Sequence, residues 1–268
     1  MMISNVAFGD LRETFTREGI VQLKGGSIVQ SDTIQSIAHN VIHNIENEKI
    51  DRTYETVKVM KKFQNEVVQR KVLTRVENFV STHRGWSSLC GADGPLATII
   101  GVICNDDGNN DPWCLYKEKL NIKPAGGTGY QPHLDGPSLM VTGLGDHFIT
   151  VMIAIDDMTT ENGCLQVARG NYSQETCVKF ETPDPTPTPA GEGGLKGGGG
   201  SGGLDPDSEG RRGSICQVEA NKLCWEDVTC KSGDVYIFSS WLPHRSGPNK
   251  TQCPRRSVFL TYNPPDDG

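Results

Sequence analysis

The chain has 268 residues and a formal net charge of −7, from 33 acidic and 26 basic residues. This size allows a substantial core in one domain, and the lack of an uninterrupted run of 18 apolar residues argues against a membrane span. The acidic balance argues against a nucleic-acid partner bound through its phosphates. Without a secretory signal pattern at the start, we expect a cytoplasmic location and reduced cysteines.

Residues 1–112 are predicted to be mostly helical, after a short strand within residues 19–25. Ser31 or Asp32 can cap the first helix, a second is predicted near residues 68–80, and a third spans residues 96–104. The first helix is indicated by the spacing of Ile34, Ile37, Ala38, Val41 and Ile45. The second is indicated by Val68, Val72, Leu73, Val76, Phe79 and Val80.

Residues 113–268 are predicted to form short strands separated by turns rich in Gly, Pro and Asn. The predicted strands are residues 115–122, 148–155, 164–168, 235–238 and 257–262. Because no helical pattern lies between them, they indicate an antiparallel barrel or jelly roll within a single domain of residues 1–268.

Residues 183–213 interrupt this pattern with a stretch dominated by Pro and then by Gly. Such a composition cannot bury apolar surface, so we expect a flexible insertion between strands. An active-site lid is the functional alternative, since long loops of barrel enzymes often close over substrate.

A metal site is predicted from His133 and Asp135, which stand two residues apart. In a strand, such residues point to the same side and can reach one ion. A His-x-Asp pair is common by chance, but here two further residues support it. His244 follows the predicted strand that ends at Phe238, and Arg255 stands at the start of the last strand. Two imidazoles and a carboxylate are the ligand set of non-haem Fe(II) oxygenases, which leaves positions open for a 2-oxo acid and O2. A buried arginine could pair with the far carboxylate of 2-oxoglutarate.

Several segments occur together in the order found in one enzyme family. They are LYKEKLNIKPAGG from Leu115, PHLD from Pro132, ENGCLQV from Glu161, KSGDV from Lys231, PHRSGPN from Pro243 and PRR from Pro254. In this combination the chain resembles the phytanoyl-CoA dioxygenase (PhyH) superfamily. The resemblance implies a mainly β fold, a double-stranded β-helix (jelly-roll, cupin-like) core buttressed by N-terminal helices. Leu134 departs from the polar residue that many members have between the first two ligands.

The resemblance also implies roles for individual residues. His133, Asp135 and His244 would hold Fe(II), with 2-oxoglutarate and O2 as co-substrates. Arg255 and Ser246 would bind the distal carboxylate of 2-oxoglutarate. Two residues of the preceding strand match positions that contact the co-substrate, namely Asn121 and Lys117.

Candidate substrate residues are Lys119, Arg245 and His147. Lys119 could equally be an exposed lysine on the rim of the barrel, and the alternative for His147 is an ordinary loop residue. Their basic character favours a small anionic or zwitterionic substrate, and PHRSGPN resembles the branch acting on amino acids, aminoalkylphosphonates or secondary-metabolite precursors. We expect hydroxylation of an unactivated carbon by a monomer or homodimer. Desaturation, ring closure, a cupin-like metalloenzyme that does not use 2-oxoglutarate, and an inactive binding module remain alternatives.

Overall fold

Two antiparallel β-sheets form the framework of the computed structural model, which describes residues 8–43, 49–60, 67–104, 112–145, 147–170, 172–173 and 213–264. The strands are β1 (Ile20–Leu23), β2 (Asp51–Met60), β3 (Val67–Glu77), β4 (Cys114–Lys123), β5 (Tyr130–His133), β6 (Ile149–Ala154), β7 (Leu165–Val167), β8 (Glu226–Val228), β9 (Val235–Ser239), β10 (His244–Ser246) and β11 (Arg255–Asn263). The α-helices are α1 (Phe8–Glu18), α2 (Ser31–His43), α3 (Arg84–Cys90), α4 (Pro95–Cys104), α5 (Gly136–Leu139) and α6 (Gln217–Ala220).

The larger sheet has seven strands in the order β1-β9-β6-β11-β4-β3-β2, and the smaller has four in the order β5-β10-β7-β8. All the strand pairs are antiparallel. From β4 to β11, consecutive strands alternate between the two sheets except at β7 and β8, which pair with each other in the smaller sheet, as in a double-stranded β-helix. The predicted fold class is therefore confirmed.

Helices α1 to α4 share one hydrophobic core with the larger sheet. The apolar residues of α2 recur at helical spacing, so Ile34 and Ala38 lie on one face and are fully buried. They belong to the same core as Leu120 of β4 and Val258 of β11. Burying each such large apolar side chain contributes about 1.5–3 kcal/mol. The helices therefore support the sheet from the face opposite the cavity described below.

The predicted helix near residues 68–80 is wrong. Residues 67–77 form β3, which pairs with β2 along its length and with β4 at Arg75 and Val76. A spacing of four residues, as between Val72 and Val76, places side chains on one face of a helix and also on one face of a strand. The β-branched residues of this segment favour the strand. The N-terminal part thus adds a β-hairpin to the sheet besides its helices.

By length and composition alone, the segment Arg84–Cys104 could cross a membrane, but half of its most apolar stretch is buried inside the fold. It is divided into α3 and α4 by residues 91–94. Ile99 and Ile100 of α4 are fully buried in the core, so this apolarity serves packing within the fold. Of the predicted insertion, residues 183–213, only Gly213 lies within the described residues.

Candidate metal centre

Two neighbouring strands of the smaller sheet bring the predicted metal ligands together. His133 ends β5, and His244 begins β10 directly opposite it in the strand register. Asp135 stands at the start of α5, where the chain turns out of the strand. Between the two ligands of this turn, the Leu134 side chain points the other way and is buried in a small core with Trp241. An apolar residue at this position therefore anchors the turn.

The ligand atoms of His133, Asp135 and His244 all lie within 4.8 Å of one another. His133 Nε2 lies 3.8 Å from one carboxylate oxygen of Asp135, and His244 Nε2 lies 3.8 Å from the other. A single ion can thus contact all three groups. The three predicted ligands converge as the sequence indicated.

Backbone carbonyls set the orientation of both imidazoles. The Nδ1 atom of His133 lies 2.7 Å from Gln131 O, and that of His244 lies 2.9 Å from Leu242 O. A carbonyl only accepts hydrogen bonds, so each Nδ1 carries the proton and each Nε2 offers a lone pair to the centre. Burial and the neighbouring His244 ring lower the pKa of His133 to about 4. The His133 ring is therefore neutral and able to bind a metal near neutral pH.

Asp135 supplies the negative charge of the centre. Thr150 of β6 donates a hydrogen bond to Asp135 Oδ2 at 3.1 Å. Burial raises the pKa of Asp135, but His244, His133, Lys119 and the Thr150 hydroxyl together lower it below its usual value. Two neutral imidazoles and one ionised carboxylate suit a divalent transition metal and leave other coordination positions free.

The triad opens into a cavity of about 670 Å³ between the two sheets. Among the residues that the structure describes, its lining has six basic side chains and two acidic ones, although the whole chain has a net charge of −7. The basic residues are Arg75, Lys117, Lys119, Lys123, Arg245 and Arg255; the acidic ones are Glu55 and Asp135. The cavity is therefore locally cationic and suited to anionic ligands.

Arg255 occupies one end of this cavity and is buried. Its Nη1 donates to Ser257 Oγ at 2.8 Å, and its Nη2 donates to Gly163 O at 2.6 Å. Its Nε is buried and makes no hydrogen bond within the described residues. A buried guanidinium with an unused donor is a site for a carboxylate. The adjacent Arg256 points to the opposite face of β11 and pairs with Asp156 at 2.6 Å.

Lys123 lies beside Arg255 and was missed in the sequence. Its Nζ lies 2.9 Å from Ser246 Oγ, 2.6 Å from Gly247 O and 3.3 Å from Gly163 O. Burial and the charge of Arg255 lower the pKa of Lys123 to about 7. Ser246, predicted to bind the co-substrate, is thus held by a lysine at the cavity wall.

A usable signal for Lys123 was present. It follows Lys117, Lys119 and Asn121 at intervals of two along β4, so all four side chains share one face. Lys123 is also the register partner of Arg255.

Arg75 of β3 also lines the cavity, and it was missed because its segment was predicted to be helical. Arg75 pairs in register with Asn121, and its Nε donates to Asn121 Oδ1 at 3.3 Å. Burial, Lys117 and Arg75 lower the pKa of Lys119. Lys117 stands at the half-exposed rim, where its Nζ lies 4.0 Å from Glu77.

The two remaining substrate candidates differ in position. Arg245 lines the cavity mouth, where its guanidinium stacks 4.3 Å from the Trp225 ring and its Nε donates to Gln166 at 2.8 Å. His147 is exposed in the loop before β6 and is not among the described residues that line the cavity, and its role in substrate binding stays a prediction. The loop reaches the sheet only at the next residue, Phe148, which is buried.

The phytanoyl-CoA dioxygenase (PhyH) family model matches residues 42–257, most of the chain. The chain belongs to the PhyH family. A 2-aminoethylphosphonate dioxygenase from the uncultured bacterium HF130_AEPn_1 is 33% identical to this chain, over 74% of this chain and 62% of that protein. A methylphosphonate hydroxylase from Gimesia maris is 35% identical over 70% of this chain and 58% of its own length.

These alignments cover less than two thirds of the length of either relative. Among solved structures, EctD from S. alaskensis with 2-oxoglutarate and 5-hydroxyectoine has a TM-score of 0.60 and 18% identity, over 97% of this chain and 76% of that one. At this identity the likeness concerns the fold alone, and it agrees with the double-stranded β-helix of the PhyH family.

Proposed function

We propose that this chain is an Fe(II)- and 2-oxoglutarate-dependent oxygenase that hydroxylates an unactivated carbon of a small anionic or zwitterionic molecule. The observation that carries the proposal is the convergence of His133, Asp135 and His244 at the wall of a cationic cavity. The naming of relatives as dioxygenase and hydroxylase supports the same chemistry.

The donor set fits a ferrous ion. His133 and His244 would bind it through Nε2, and Asp135 would bind it through a carboxylate oxygen that Thr150 keeps in place. The chemistry supplied by bound iron, 2-oxoglutarate and O2 is oxidation of a carbon coupled to decarboxylation of the 2-oxo acid to succinate. The chain itself orients the ligands and surrounds the reactants with a defined cavity wall.

The distal carboxylate of 2-oxoglutarate would lie at Arg255, whose Nε is free to donate to it. Ser246 and Lys123 add a hydroxyl and an ammonium group at the same place. Asn121 lines the cavity two residues before Lys123 on β4 and would contact the co-substrate, with Lys117 farther along the strand.

Two kinds of observation support the substrate class. The relatives' names refer to 2-aminoethylphosphonate and methylphosphonate, which are small phosphonates. The cavity retains three further cations, Arg75, Lys117 and Lys119, away from Arg255. We therefore propose a small phosphonate or a similar charged metabolite as substrate. Product mass separates hydroxylation from desaturation or ring closure.

Removing one ligand side chain tests the metal centre directly. We expect the purified chain to bind one Mn(II) or Fe(II), and we expect His133→Ala to lose that ion because only two ligands remain. Metal content and succinate release with Fe(II) and 2-oxoglutarate are the measurements. His39→Ala, an exposed histidine of α2, is the control. Metal binding and full turnover by His133→Ala would refute the assignment.

Arg255 and Arg256 form a matched pair on opposite faces of one strand. Arg255→Gln should weaken 2-oxoglutarate binding by at least about tenfold, because a charge-assisted bidentate contact is lost. Arg256→Gln should leave it unchanged. Calorimetric titration of the Mn(II)-loaded variants measures both. If Arg255→Gln binds 2-oxoglutarate as tightly as Arg256→Gln does, a cupin-like enzyme without this co-substrate becomes the better assignment.

The predicted cytoplasmic location, the single domain and the monomeric or homodimeric state stay predictions.

A further inference from the structure

Two groups of cations line the cavity at different points along β4. Lys123 pairs with Arg255 near the end of the strand, whereas Lys119 and Lys117 stand four and six residues earlier on the same face. At about 3.3 Å per residue, these separations are roughly 13 and 20 Å along the backbone. A five-carbon diacid anchored at Arg255 and the metal therefore leaves the second group for another anion.

The second group combines side chains from two strands. Arg75 projects from β3 opposite Asn121, while Lys119 projects from the neighbouring part of β4. Arg75 is 7% exposed, so its charge lies inside the protein and not in bulk water. Lys119 lies close enough to Asp135 for the two charges to interact. A ligand bound by Lys119 would accordingly lie next to the metal ligands.

Among the described residues, basic groups outnumber the acidic groups around this cluster. Glu77 lies 4.0 Å from Lys117 Nζ, and Glu55 lines the same cavity. Asp135 would be committed to the proposed metal. In the described part of the chain, Arg75, Lys117 and Lys119 are thus three basic groups beside two other carboxylates.

The types of donor and their placement on two strands favour a tetrahedral anion. Arg75 of β3 carries a planar guanidinium, whereas Lys119 and Lys117 of β4 each carry a separate ammonium group. Thr261, the register partner of Lys117, adds a hydroxyl to the same lining. Donors that arrive from several directions suit three oxygens around phosphorus better than a planar carboxylate.

We propose that Arg75, Lys119 and Lys117 form the subsite that binds the head group of the oxidised substrate, and that this head group is a phosphonate. The inference rests on the proposed oxygenase function and specifies it. The phosphonate then lies beside the metal and away from Arg255, so the carbon attached to phosphorus, or its neighbour, is presented for oxidation.

Methylphosphonate is the probe for this subsite. In the presence of 2-oxoglutarate, we expect the full chain loaded with Mn(II) to broaden the phosphorus NMR line of methylphosphonate, because the paramagnetic ion lies near the bound phosphorus. Lys119→Met and Arg75→Met should each weaken methylphosphonate binding by about tenfold or more, as expected for a lost charged hydrogen bond. Lys119→Arg should largely retain it. Lys250→Met, an exposed lysine outside the cavity, should bind as the unaltered chain does.

Affinities for Mn(II) and 2-oxoglutarate, measured on the same samples, distinguish the possible failures. If Mn(II) and 2-oxoglutarate both bind but the phosphorus line of methylphosphonate does not broaden, the phosphonate subsite is overturned while the oxygenase proposal stands. If Mn(II) does not bind, the proposed function itself fails. If Lys119→Met weakens 2-oxoglutarate and not methylphosphonate, Lys119 serves the co-substrate and the subsite is again overturned. Melting curves identify any variant that does not fold, and Lys119→Arg then provides the decisive comparison.

Discussion

At the scale of single residues, the ammonium group of Lys123 is hydrogen-bonded but also buried beside another cation. Its ammonium group is surrounded by oxygens of Ser246, Gly247 and Gly163, yet Arg255 lies beside it and burial removes water. The pKa of Lys123 is about 7 in the folded chain, against 10.5 for an ordinary lysine. Between these values the unfolded chain binds more protons, so the Lys123 contribution to stability rises with pH there. The cost of burying its charge is fully present below about pH 7.

Binding of 2-oxoglutarate should therefore take up protons. A carboxylate placed beside Lys123 favours the charged ammonium form and raises the pKa of Lys123. At about pH 8, where the free site is largely neutral at Lys123, we expect uptake approaching one proton for each 2-oxoglutarate bound. Calorimetric titration of the Mn(II)-loaded chain in two buffers of different ionisation enthalpy measures this number.

Two variants assign the proton. Lys123→Met should abolish the uptake, whereas Lys119→Met should keep it, since Lys119 belongs to the other cation group. Equal heats in the two buffers for the unaltered chain would mean that the charge state of Lys123 does not change on binding.

At the scale of secondary structure, the metal ligands were predictable and the full cationic cavity was not. His133 and Asp135 stand two residues apart, and strand geometry predicted their common direction, although Asp135 lies just beyond the strand at the start of α5. That His244 stands opposite them depends on strand pairing. Strand pairing is a long-range contact, and only the family resemblance indicated it.

β3 shows why Arg75 was missed. Its valines recur at a spacing that fits a helix as well as a strand, and the partner that decides between them is β2. Once β3 pairs with β4, Arg75 faces Asn121 inside the cavity. A local pattern can thus decide between helix and strand only when pairing with a distant strand does not favour the other structure.

The turn at Gly163 carries a comparable tertiary constraint. Gly163 has φ +74°, and a Cβ there would lie 2.4 Å from Gly247 O. Only glycine fits such a position without displacing the backbone. The close approach allows the Gly163 carbonyl to accept hydrogen bonds from both Arg255 and Lys123. The sequence shows a glycine in a turn, but it does not show which cations meet there.

At the scale of the whole molecule, net charge and local charge have opposite signs. The chain carries −7, yet in its described part the cavity lining has six basic residues against two acidic ones. The negative total predicts no binding to nucleic-acid phosphates, whereas the local charge of the cavity favours small anions. Composition could argue against a class of partner, but it could not reveal the sign of the site, because folding places Arg75 and five other β-strand cations around one cavity.

Both sheets contribute to the proposed site, so its ligands should stabilise the entire fold. His133 and His244 belong to the smaller sheet, whereas Arg255 and Thr150 belong to the larger one. Ligands that bind only the folded chain add about 2.7 kcal/mol at one hundred times their dissociation constant. For a chain of this size that corresponds to roughly 5–10 °C in melting temperature. We expect one increment from Mn(II) and a second from 2-oxoglutarate added to the Mn(II)-loaded chain.

The variants should separate these two increments. Arg255→Gln should keep the Mn(II) increment and lose most of the 2-oxoglutarate increment, because the ion is held by other residues. His133→Ala should lose both, since 2-oxoglutarate needs the ion as well as Arg255. Chelation of the metal should reverse the shift in the unaltered chain. Melting curves with equal increments in the unaltered chain and His133→Ala would show that the ligands bind elsewhere, because an ion at another site would not depend on this imidazole.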